Sequence, residues 1–162
     1  MTKQESPSLS RGEQVNTPHF RSLAFGHPDL DAAGEPPGLQ HGTGGALATV
    51  TDTESVRQSL LLLLTTRPGE RVNRPDYGCR VFQLAFEPAD QTTAGLAEYF
   101  VSRAIEMWEH RIDVLALHAE VSDDAPHVLQ IGVAYRIRAT GGTDELRLRM
   151  ALDPSAPPAG AR

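Results

Sequence analysis

The chain has 162 residues, a formal net charge of −6 and 40% hydrophobic residues, which suits one domain of ordinary size with additional segments outside its core. The acidic balance and the lack of a Lys/Arg cluster argue against nucleic acid as a direct ligand. A single cysteine excludes a disulfide within one chain, and the longest apolar run, residues 60–64, is far too short to span a bilayer.

Residues 1–50 form an arm that is rich in glycine and proline and has only scattered apolar positions. Such a segment cannot bury enough surface to offset its ordering entropy, so we expect it to be extended or partly disordered alone and ordered in an assembly. The apolar patch from Phe20 to Phe25 is expected to add a short strand or to pack on the domain. Residues 1–7 lack the apolar stretch of a secretory signal, so we expect a cytoplasmic protein.

A helix opens the predicted domain at residues 51–152. Thr51 and Glu54 have the spacing of a capping box. The apolar positions that follow share one helical face: Val56, Leu60, Leu63 and Leu64. The helix should end at Thr66 or the next residue, because Pro68 disfavours helical geometry in the residue before it and Gly69 can close the end.

A second helix follows a short apolar segment. Residues 81–86 are expected to form one or two helical turns before Pro88, and Thr93 is a good N-cap for the helix. The apolar stripe of this helix consists of Ala97, Val101, Ala104, Ile105 and Trp108.

Glu109 is expected in the last turn of that helix, where the negative end of the helix dipole disfavours a carboxylate by about 0.3–1 kcal/mol. A cation should therefore lie nearby. Within the fold the candidates are Arg67 and Arg71, Arg111 could screen the carboxylate in solution, and another subunit could supply the cation instead.

Three strands are predicted after His110, where the apolar period changes from about 3.6 to about 2 residues. The predicted inward positions are Leu115, Leu117, Ala119 and Val121, then Leu129, Ile131, Val133, Tyr135 and Ile137, then Leu146, Leu148 and Met150. Turns at 123–126 and 141–142 separate these segments. The predicted class is α+β: two main helices packed on one face of a three-stranded antiparallel meander, with an extended arm before it and a flexible tail at residues 153–162.

Candidate catalytic, metal and cofactor sites are weak in this sequence. The six histidines have no zinc-type spacing, and residues 41–45 lack the lysine of a phosphate loop. Cys79 is interpreted as a small buried residue. Four carboxylates could be imagined as a glycosidase pair: Glu70, Asp76, Glu87 and Glu109. Arginines beside Glu70 and Glu109 favour the ionised carboxylate, which is the opposite of what a general acid needs, so we predict no catalytic residue. Together with the histidine spacing and the missing lysine, this also leads us to predict no metal and no cofactor.

Three motifs, in this order and spacing, resemble the baseplate wedge family of contractile tails. Residues 65–71 read Thr-Thr-Arg-Pro-Gly-Glu-Arg, residues 75–79 read Pro-Asp-Tyr-Gly-Cys, and residues 108–112 read Trp-Glu-His-Arg-Ile. The resemblance covers residues 51–152, and the family includes the gene-twenty-five product of contractile phages, TssE of type VI secretion and their equivalents in extracellular injection systems. His110 stands where the family usually has proline, so a fixed φ is lost and a group that titrates near neutrality is gained.

The resemblance implies a structural, non-enzymatic role as a baseplate component that binds wedge subunits and nucleates sheath assembly. The implied partners are wedge and sheath subunits, with hub or spike proteins as further candidates, in a sixfold assembly that is built in the cytoplasm and ends in a tail-like particle. The expected interface residues are Arg67, Glu70, Arg71, Asp76, Tyr77, Glu109, His110, Arg111, Glu145, Arg147 and Arg149.

The last predicted strand is an edge strand with outward Glu and Arg side chains, so it could accept a strand from another chain. Around a sixfold baseplate such modest contacts would add through multivalency. Charge reversal at Glu109 is expected to leave a folded monomer and to abolish sheath assembly. Two alternatives stay open: a lysozyme-like glycoside hydrolase, and a regulatory anti-adaptor of the same fold. The sequence does not distinguish a phage tail from a secretion system or a free injection particle.

Overall fold

The computed structural model describes residues 17–26 and 38–153, in which two long helices lie beside a three-stranded antiparallel sheet. The helices are α1, Asp52–Thr65, and α2, Gln91–Trp108. The sheet consists of β5, Ile112–Ser122, β6, Ala125–Ile137, and β7, Thr143–Ala151, in the order β5-β6-β7. The predicted α+β class is confirmed. In the described part of the chain, no helix is long and apolar enough to cross a membrane.

Four short strands precede α1 and tie the described part of the arm to the domain. They are β1, Arg21–Leu23, β2, Phe25–Gly26, β3, Gly38–Leu39, and β4, Thr49–Thr51. β1 pairs with β4 and β2 pairs with β3. The side-chain amide of Gln58 on α1 donates to the carbonyl of Leu23 and accepts from the N–H of Phe25, at 2.8 and 2.9 Å. The short strand expected at this patch is present, and Phe20 packs against the core.

The division into an arm (1–50), a domain (51–152) and a tail (153–162) stays a prediction. Residues 1–16, 27–37 and 154–162 lie outside the described residues.

Helix α1 begins differently from the predicted capping box. Thr51 is the N-cap, but its side chain makes no capping hydrogen bond. Asp52 has a φ of 43°, and its carboxylate accepts hydrogen bonds from the backbone N–H groups of His19 and Phe20, at 2.8 and 3.1 Å. The Asp52 side chain thus holds the arm, and in return the Phe20 carbonyl accepts from the N–H of Asp52 at 3.0 Å at this helix end. The predicted end is confirmed, because Thr66 is the C-cap.

Helix α2 begins two residues before the predicted N-cap. Asp90 is the N-cap, and its carboxylate accepts a hydrogen bond from the N–H of Thr93 at 2.9 Å. Thr93 is buried inside the first turn, and its hydroxyl donates to the carbonyl of Pro88 at 2.6 Å. Upstream, the predicted helical segment is a short 3₁₀ helix, Arg80–Leu84, and Phe86 lies outside it with 77% of its surface exposed.

The core lies between the two helices and one face of the sheet. Five alternate residues of β6 are almost fully buried: Leu129, Ile131, Val133, Tyr135 and Ile137. The predicted helix faces and the inward positions of β7 join the same cluster, with Trp108 and Met150 partly buried at its margin. Period-2 burial on β6 and β7 is what a sheet with one covered face requires.

Leu115 was predicted to face inward, and this prediction is wrong. In β5, Val114 pairs with Tyr135 and Ala116 pairs with Ala134, so Leu115 is an extra residue in a β-bulge. Leu115 is 54% exposed. An extra residue reverses the in–out alternation, which explains why an apolar side chain lies outside here while the positions after it face the core again.

Candidate protein-binding surface

The charged loop between α1 and the 3₁₀ helix is closed at its base by glycine geometry and backbone hydrogen bonds. Gly69 has a φ of 96°, and its N–H donates to the carbonyl of Pro75 at 2.6 Å. Gly78 has a φ of 129°, and a Cβ there would overlap the carbonyl oxygen of Thr66. The N–H of Cys79 donates to that same carbonyl at 2.9 Å. The loop is therefore pinned to the end of α1, with its charged residues on the outside.

Arg67 and Glu70 form the first turn of this loop. The Glu70 carboxylate accepts a hydrogen bond from the N–H of Arg67 at 2.9 Å, and both side chains are exposed. The Arg67 guanidinium lies 4.9 Å from the centre of the Phe82 ring, within the range of a cation–π contact. Both residues also border a cavity of about 320 Å³ that reaches Arg149 on β7.

Tyr77 is the point where the loop meets the end of α2. The Arg71 guanidinium lies 3.9 Å from the centre of the Tyr77 ring, and this ring meets Trp108 edge-on at 5.3 Å and 62°. Burial raises the pKa of Tyr77, while the charge of Arg71 lowers it and that of Glu109 raises it. Half-buried aromatics under a guanidinium give a rigid surface with one accessible cation.

Glu109 and Arg111 form a partly buried ion pair at the centre of this surface. Glu109 is only 6% exposed, and its two carboxylate oxygens accept hydrogen bonds from Arg111 Nε and Nη2 at 2.7 and 2.5 Å. The bond to Glu109 raises the pKa of Arg111. The Arg111 guanidinium also lies 5.2 Å from the centre of the Phe20 ring, so the arm covers the pair.

The expected partnership of Glu109 with Arg67 or Arg71 is wrong. The cation is Arg111, which the sequence offered as an alternative, and it forms a direct hydrogen-bonded ion pair with Glu109. Glu109 is the C-cap of α2, with φ and ψ of −120° and 75°. The chain therefore leaves the helix at this residue, and the side chain two positions later turns back onto it. Arg71 contacts Tyr77 instead. His110 lies between the paired residues and is exposed.

The predicted interface residues divide into two groups. Arg71, Tyr77, Glu109 and Arg111 meet around Trp108 and Phe20, and we call these six residues the motif cluster. Asp76 borders a neighbouring groove of about 550 Å³ between the loop and α2, which Tyr99, Met107 and Trp108 also line. Glu145, Arg147 and Arg149 lie apart on β7, and Arg67 and Glu70 lie between the two groups.

Three aromatic residues were missing from the predicted interface set: Phe20, Phe82 and Trp108. Each lies against an arginine or against Tyr77. Trp108 is adjacent in sequence to Glu109, which is the signal that could have identified it. Phe20 comes from the arm, far along the chain from its partner, so no local pattern could have placed it there.

The two edges of the sheet differ in a way that bears on partner binding. On β5, the bulge interrupts the edge, and the outward N–H of Ala119 donates to the carboxylate of Glu98 on α2 at 2.9 Å. On β7, the backbone of Glu145 is used within the chain: its N–H donates to Asp144 Oδ1 at 2.8 Å and its carbonyl accepts from Arg57 at 2.9 Å. The bulge and Glu98 therefore obstruct part of the β5 edge, and on β7 the obstruction is at Glu145.

Beyond Glu145 the β7 edge is open. Alternation along a strand places the N–H and C=O groups of Arg147 and Arg149 on the same outer side as those of Glu145. Within residues 17–26 and 38–153, no hydrogen bond joins these outer groups to anything beyond the sheet. The Glu145 carboxylate accepts from Arg147 Nε at 2.7 Å, which lowers the pKa of Glu145.

The described residues hold no group of three His, Cys, Asp or Glu side chains that could bind a metal ion. Cys79 is buried, and its thiol donates weakly to the carbonyl of Phe100 at 3.6 Å. Burial raises the pKa of this thiol, which disfavours the nucleophilic thiolate.

A model of the family described as baseplate wedge protein gp25 matches residues 50–142, more than half of the chain. This chain belongs to the gp25 family of baseplate wedge proteins. Baseplate wedge protein gp25 of Enterobacteria phage T4 is 36% identical over 78 residues, which are 48% of this chain and 59% of the phage protein. The match thus spans less than two thirds of that relative. The resemblance noted in the sequence motifs is confirmed.

Solved structures agree with this membership. A candidate tail lysozyme from Geobacter sulfurreducens superposes with a TM-score of 0.59 at 36% identity, covering 67% of this chain and all of that one. A chain of the anti-feeding prophage baseplate, a structure symmetrised sixfold, superposes with a TM-score of 0.52 at 15% identity, covering 82% of this chain and 86% of its own length. At 15% identity the second similarity indicates a shared fold alone.

Proposed function

We propose that this protein is a structural wedge component of the baseplate of a contractile tail-like particle, where it binds wedge subunits and starts sheath assembly. The observation that carries the proposal is the asymmetry of its sheet. One edge is interrupted by a bulge and by Glu98, whereas the other edge is engaged at Glu145 and leaves the outer backbone groups of Arg147 and Arg149 open. An open edge of this kind accepts a strand through main-chain hydrogen bonds.

The motif cluster is the second binding surface in this proposal, and it is assigned to wedge subunits. Tyr77 and Trp108 supply aromatic area that is already fixed in place, and Arg71 presents a charged group that no described carboxylate pairs with. Aromatic and arginine side chains held in this way are typical of the residues that dominate binding energy in protein interfaces. The partly buried pair of Glu109 and Arg111 supports these residues from below.

Sheath subunits are assigned to the β7 edge, and hub or spike proteins are further candidate neighbours. Six copies around a baseplate would present six such edges, so modest contacts at each would add through multivalency. In this proposal the protein assembles in the cytoplasm and ends in the baseplate of the mature particle.

A lysozyme-like activity is the second candidate, because one structural relative is a candidate tail lysozyme. The carboxylates of this chain favour it less. Both oxygens of Glu109 are engaged by Arg111, and the Glu70 carboxylate caps its own turn. A glycosidase needs two carboxyl groups at a set separation across a substrate cleft, one of them able to donate a proton. The enzyme would be favoured if the protein clears a suspension of purified peptidoglycan and this clearing is lost in Glu70→Gln, or in Glu109→Gln at a temperature at which that variant is still folded.

The test of the sheath assignment is Arg147→Pro against Arg147→Ala. Proline removes the outward N–H, and it is tolerated on an edge strand whose N–H does not bond the neighbouring strand. Alanine removes the side chain and keeps the N–H. In particles assembled from purified components, Arg147→Pro should give baseplates without sheath, whereas Arg147→Ala should give sheath of normal length in electron micrographs. Normal sheath on folded Arg147→Pro baseplates would refute the assignment.

The wedge assignment has its own matched pair, Arg71→Ala and Arg74→Ala. Both arginines are exposed on the same loop, but Arg71 alone lies over Tyr77. Co-purification of wedge subunits should fall with Arg71→Ala and stay unchanged with Arg74→Ala. Equal behaviour of the two variants would remove the motif cluster from the interface.

A further inference from the structure

The face of the sheet opposite the helices forms a trough along its central strand. The cross-strand register gives three successive rows: Ala116–Ala134–Glu145, His118–Gly132–Arg147 and Glu120–Gln130–Arg149. Small residues make the floor at Ala116, Gly132 and Ala134, and Gln130 closes the floor in the third row. The walls are His118 and Glu120 on β5 and Glu145, Arg147 and Arg149 on β7. The hollow between them has a volume of about 380 Å³. It lies on the outer face of the sheet, apart from the motif cluster, and its β7 wall consists of side chains of the same strand whose backbone forms the open edge.

The two walls of the trough carry opposite unpaired charges. On the β7 wall, Glu145 and Arg147 neutralise each other through hydrogen bonds of 2.7 and 3.2 Å, which leaves Arg149 as the free cation. On the β5 wall, Glu120 is the free anion. No ion pair in the described ranges involves Glu120 or Arg149, and these two residues stand on opposite walls of one row. A partner with a basic group over Glu120 and an acidic group over Arg149 would complement both walls.

The backbone of the trough favours a helix over a strand. Two strand spacings place the β5 and β7 backbones about 10 Å apart, so a helix would rest on the floor with one row of its side chains between the two walls. The three rows extend over about 13 Å of strand, equivalent to about nine helical residues. An extended segment would leave its backbone hydrogen-bonding groups unpaired there, since the sheet's own groups face sideways and not up into the trough.

A second copy of this chain fits the trough poorly. Two concave faces cannot fill each other's hollow. The exposed face of α2 does carry Leu96, Tyr99 and Met107, but Arg103 lies between Tyr99 and Met107 on that face and would be set on the apolar floor. The other described helix, α1, contributes much of the core.

Resting on the proposed baseplate function, we propose that the trough receives an amphipathic α-helix of another baseplate protein. Apolar side chains of this helix, spaced at three or four residues, lie on the floor formed by Gly132, Ala134 and Ala116. Lysine or arginine on one flank pairs with Glu120, and aspartate or glutamate on the other flank pairs with Arg149. The opposite wall charges fix the direction of the helix as well as its position.

The test combines a photo-crosslinker with a variant that fills the floor. p-Benzoyl-L-phenylalanine replaces His118 on the β5 wall, and assembled particles are irradiated and analysed by mass spectrometry. Gly132→Val fills the trough without strain, because an added Cβ meets only Glu145 Oε1, at 3.8 Å. Thr143→Val, exposed on the same sheet but outside the trough, is the control.

The expected result is a cross-linked peptide from another baseplate protein that has helical apolar spacing and the two charged flanks. Gly132→Val should lower its yield about tenfold, equivalent to about 1.4 kcal/mol, and Thr143→Val should leave it unchanged. A synthetic peptide of that sequence should bind the wild-type protein and show a helical circular dichroism spectrum when bound. A cross-link to a second copy, to an extended sheath segment or to nothing would overturn the proposal, as would a yield that Gly132→Val does not affect. Arg147 belongs to both the β7 edge and the trough wall, so the edge is tested separately through the backbone N–H, which Arg147→Pro removes and Arg147→Ala keeps.

Discussion

Replacing Glu109 by glutamine should destabilise the fold itself, because the carboxylate is buried and holds Arg111 by both oxygens. Glutamine keeps the shape, but its amide NH₂ would face an arginine nitrogen, so one charge-assisted hydrogen bond becomes a contact between two donors. Breaking a fully buried ion pair costs about 3–5 kcal/mol. The Arg111 side chain is 31% exposed, so solvent can relieve part of this penalty. We expect Glu109→Gln to lower the free energy of unfolding by about 2 kcal/mol.

Thermal and denaturant unfolding of the purified protein measure this effect. For a domain of this size, about 4 °C of melting temperature corresponds to 1 kcal/mol, so we expect a decrease of about 8 °C. Glu106→Gln is the matched control on the same helix. Glu106 pairs with Arg103 at 3.1 Å, but both side chains are more than half exposed, so this change should cost less than about 0.5 kcal/mol.

A double-mutant cycle isolates the pair. Arg111→Met alone leaves the buried carboxylate without a partner and should cost about 3 kcal/mol. Glu109→Gln with Arg111→Met should cost at least about 1 kcal/mol less than the sum of the single changes. Additive effects, or a Glu109→Gln protein as stable as Glu106→Gln, would refute the reasoning from burial.

Charge reversal at Glu109 therefore has a different expected outcome from the one that the sequence suggests. A cation at this buried position would face Arg111, so the variant should unfold instead of remaining a folded monomer. Loss of sheath in such a variant would not by itself assign Glu109 to an interface. The exposed residues Arg71 and Arg147 are the better probes.

Two further predictions concern the loop and the start of β7. Gly78→Ala should lower the free energy of unfolding by about 2–4 kcal/mol, because its Cβ would overlap the carbonyl of Thr66. Gly69→Ala should lower it by only about 1 kcal/mol, since the φ of Gly69 is 96° but nothing lies within 4 Å of an added Cβ. Equal melting temperatures of the two variants would contradict this. Although burial acts to raise the pKa of Asp144, the hydrogen bond from Tyr135 helps to lower it overall. Because its folded pKa is lowered, the Asp144 carboxylate stabilises the fold above its unfolded pKa of about 3.9, and this contribution is lost as the pH falls through the folded pKa. The free energy of unfolding of Asp144→Asn should therefore change less than that of the wild type between about pH 5 and pH 2.

The local sequence pattern was sufficient to predict structural features that depend only on neighbouring residues, such as where a helix ends or which face of a strand is buried. Pro68 ends α1 because it acts on the residue directly before it, and period-2 alternation places Leu129 to Ile137 inside because a strand has only two faces. The family motifs also lie in continuous stretches of sequence. These features gave the α+β class, the meander and the two helix faces.

Contacts between segments distant in sequence decided the features that were predicted wrongly, namely the orientation of Leu115 and the start of α1. The outward position of Leu115 depends on a bulge that forms only when β5 pairs with β6. The N–H groups of His19 and Phe20 reach Asp52 across more than thirty residues, so no spacing rule could predict how α1 begins.

At Glu109 and at the sheet edges, too, one part was predictable from the sequence and another part was decided by the tertiary structure. The sequence identified Glu109 as a carboxylate that needs a cation, but its choice of Arg111 over Arg71 depends on the backbone leaving the helix at that residue. The sequence also predicted that β7 is an edge strand. The obstruction of β5, and the trough that small residues of two strands form between longer side chains, emerged only from the assembled sheet. Burial, edge coverage and surface shape belong to the packed chain and not to any one segment of it.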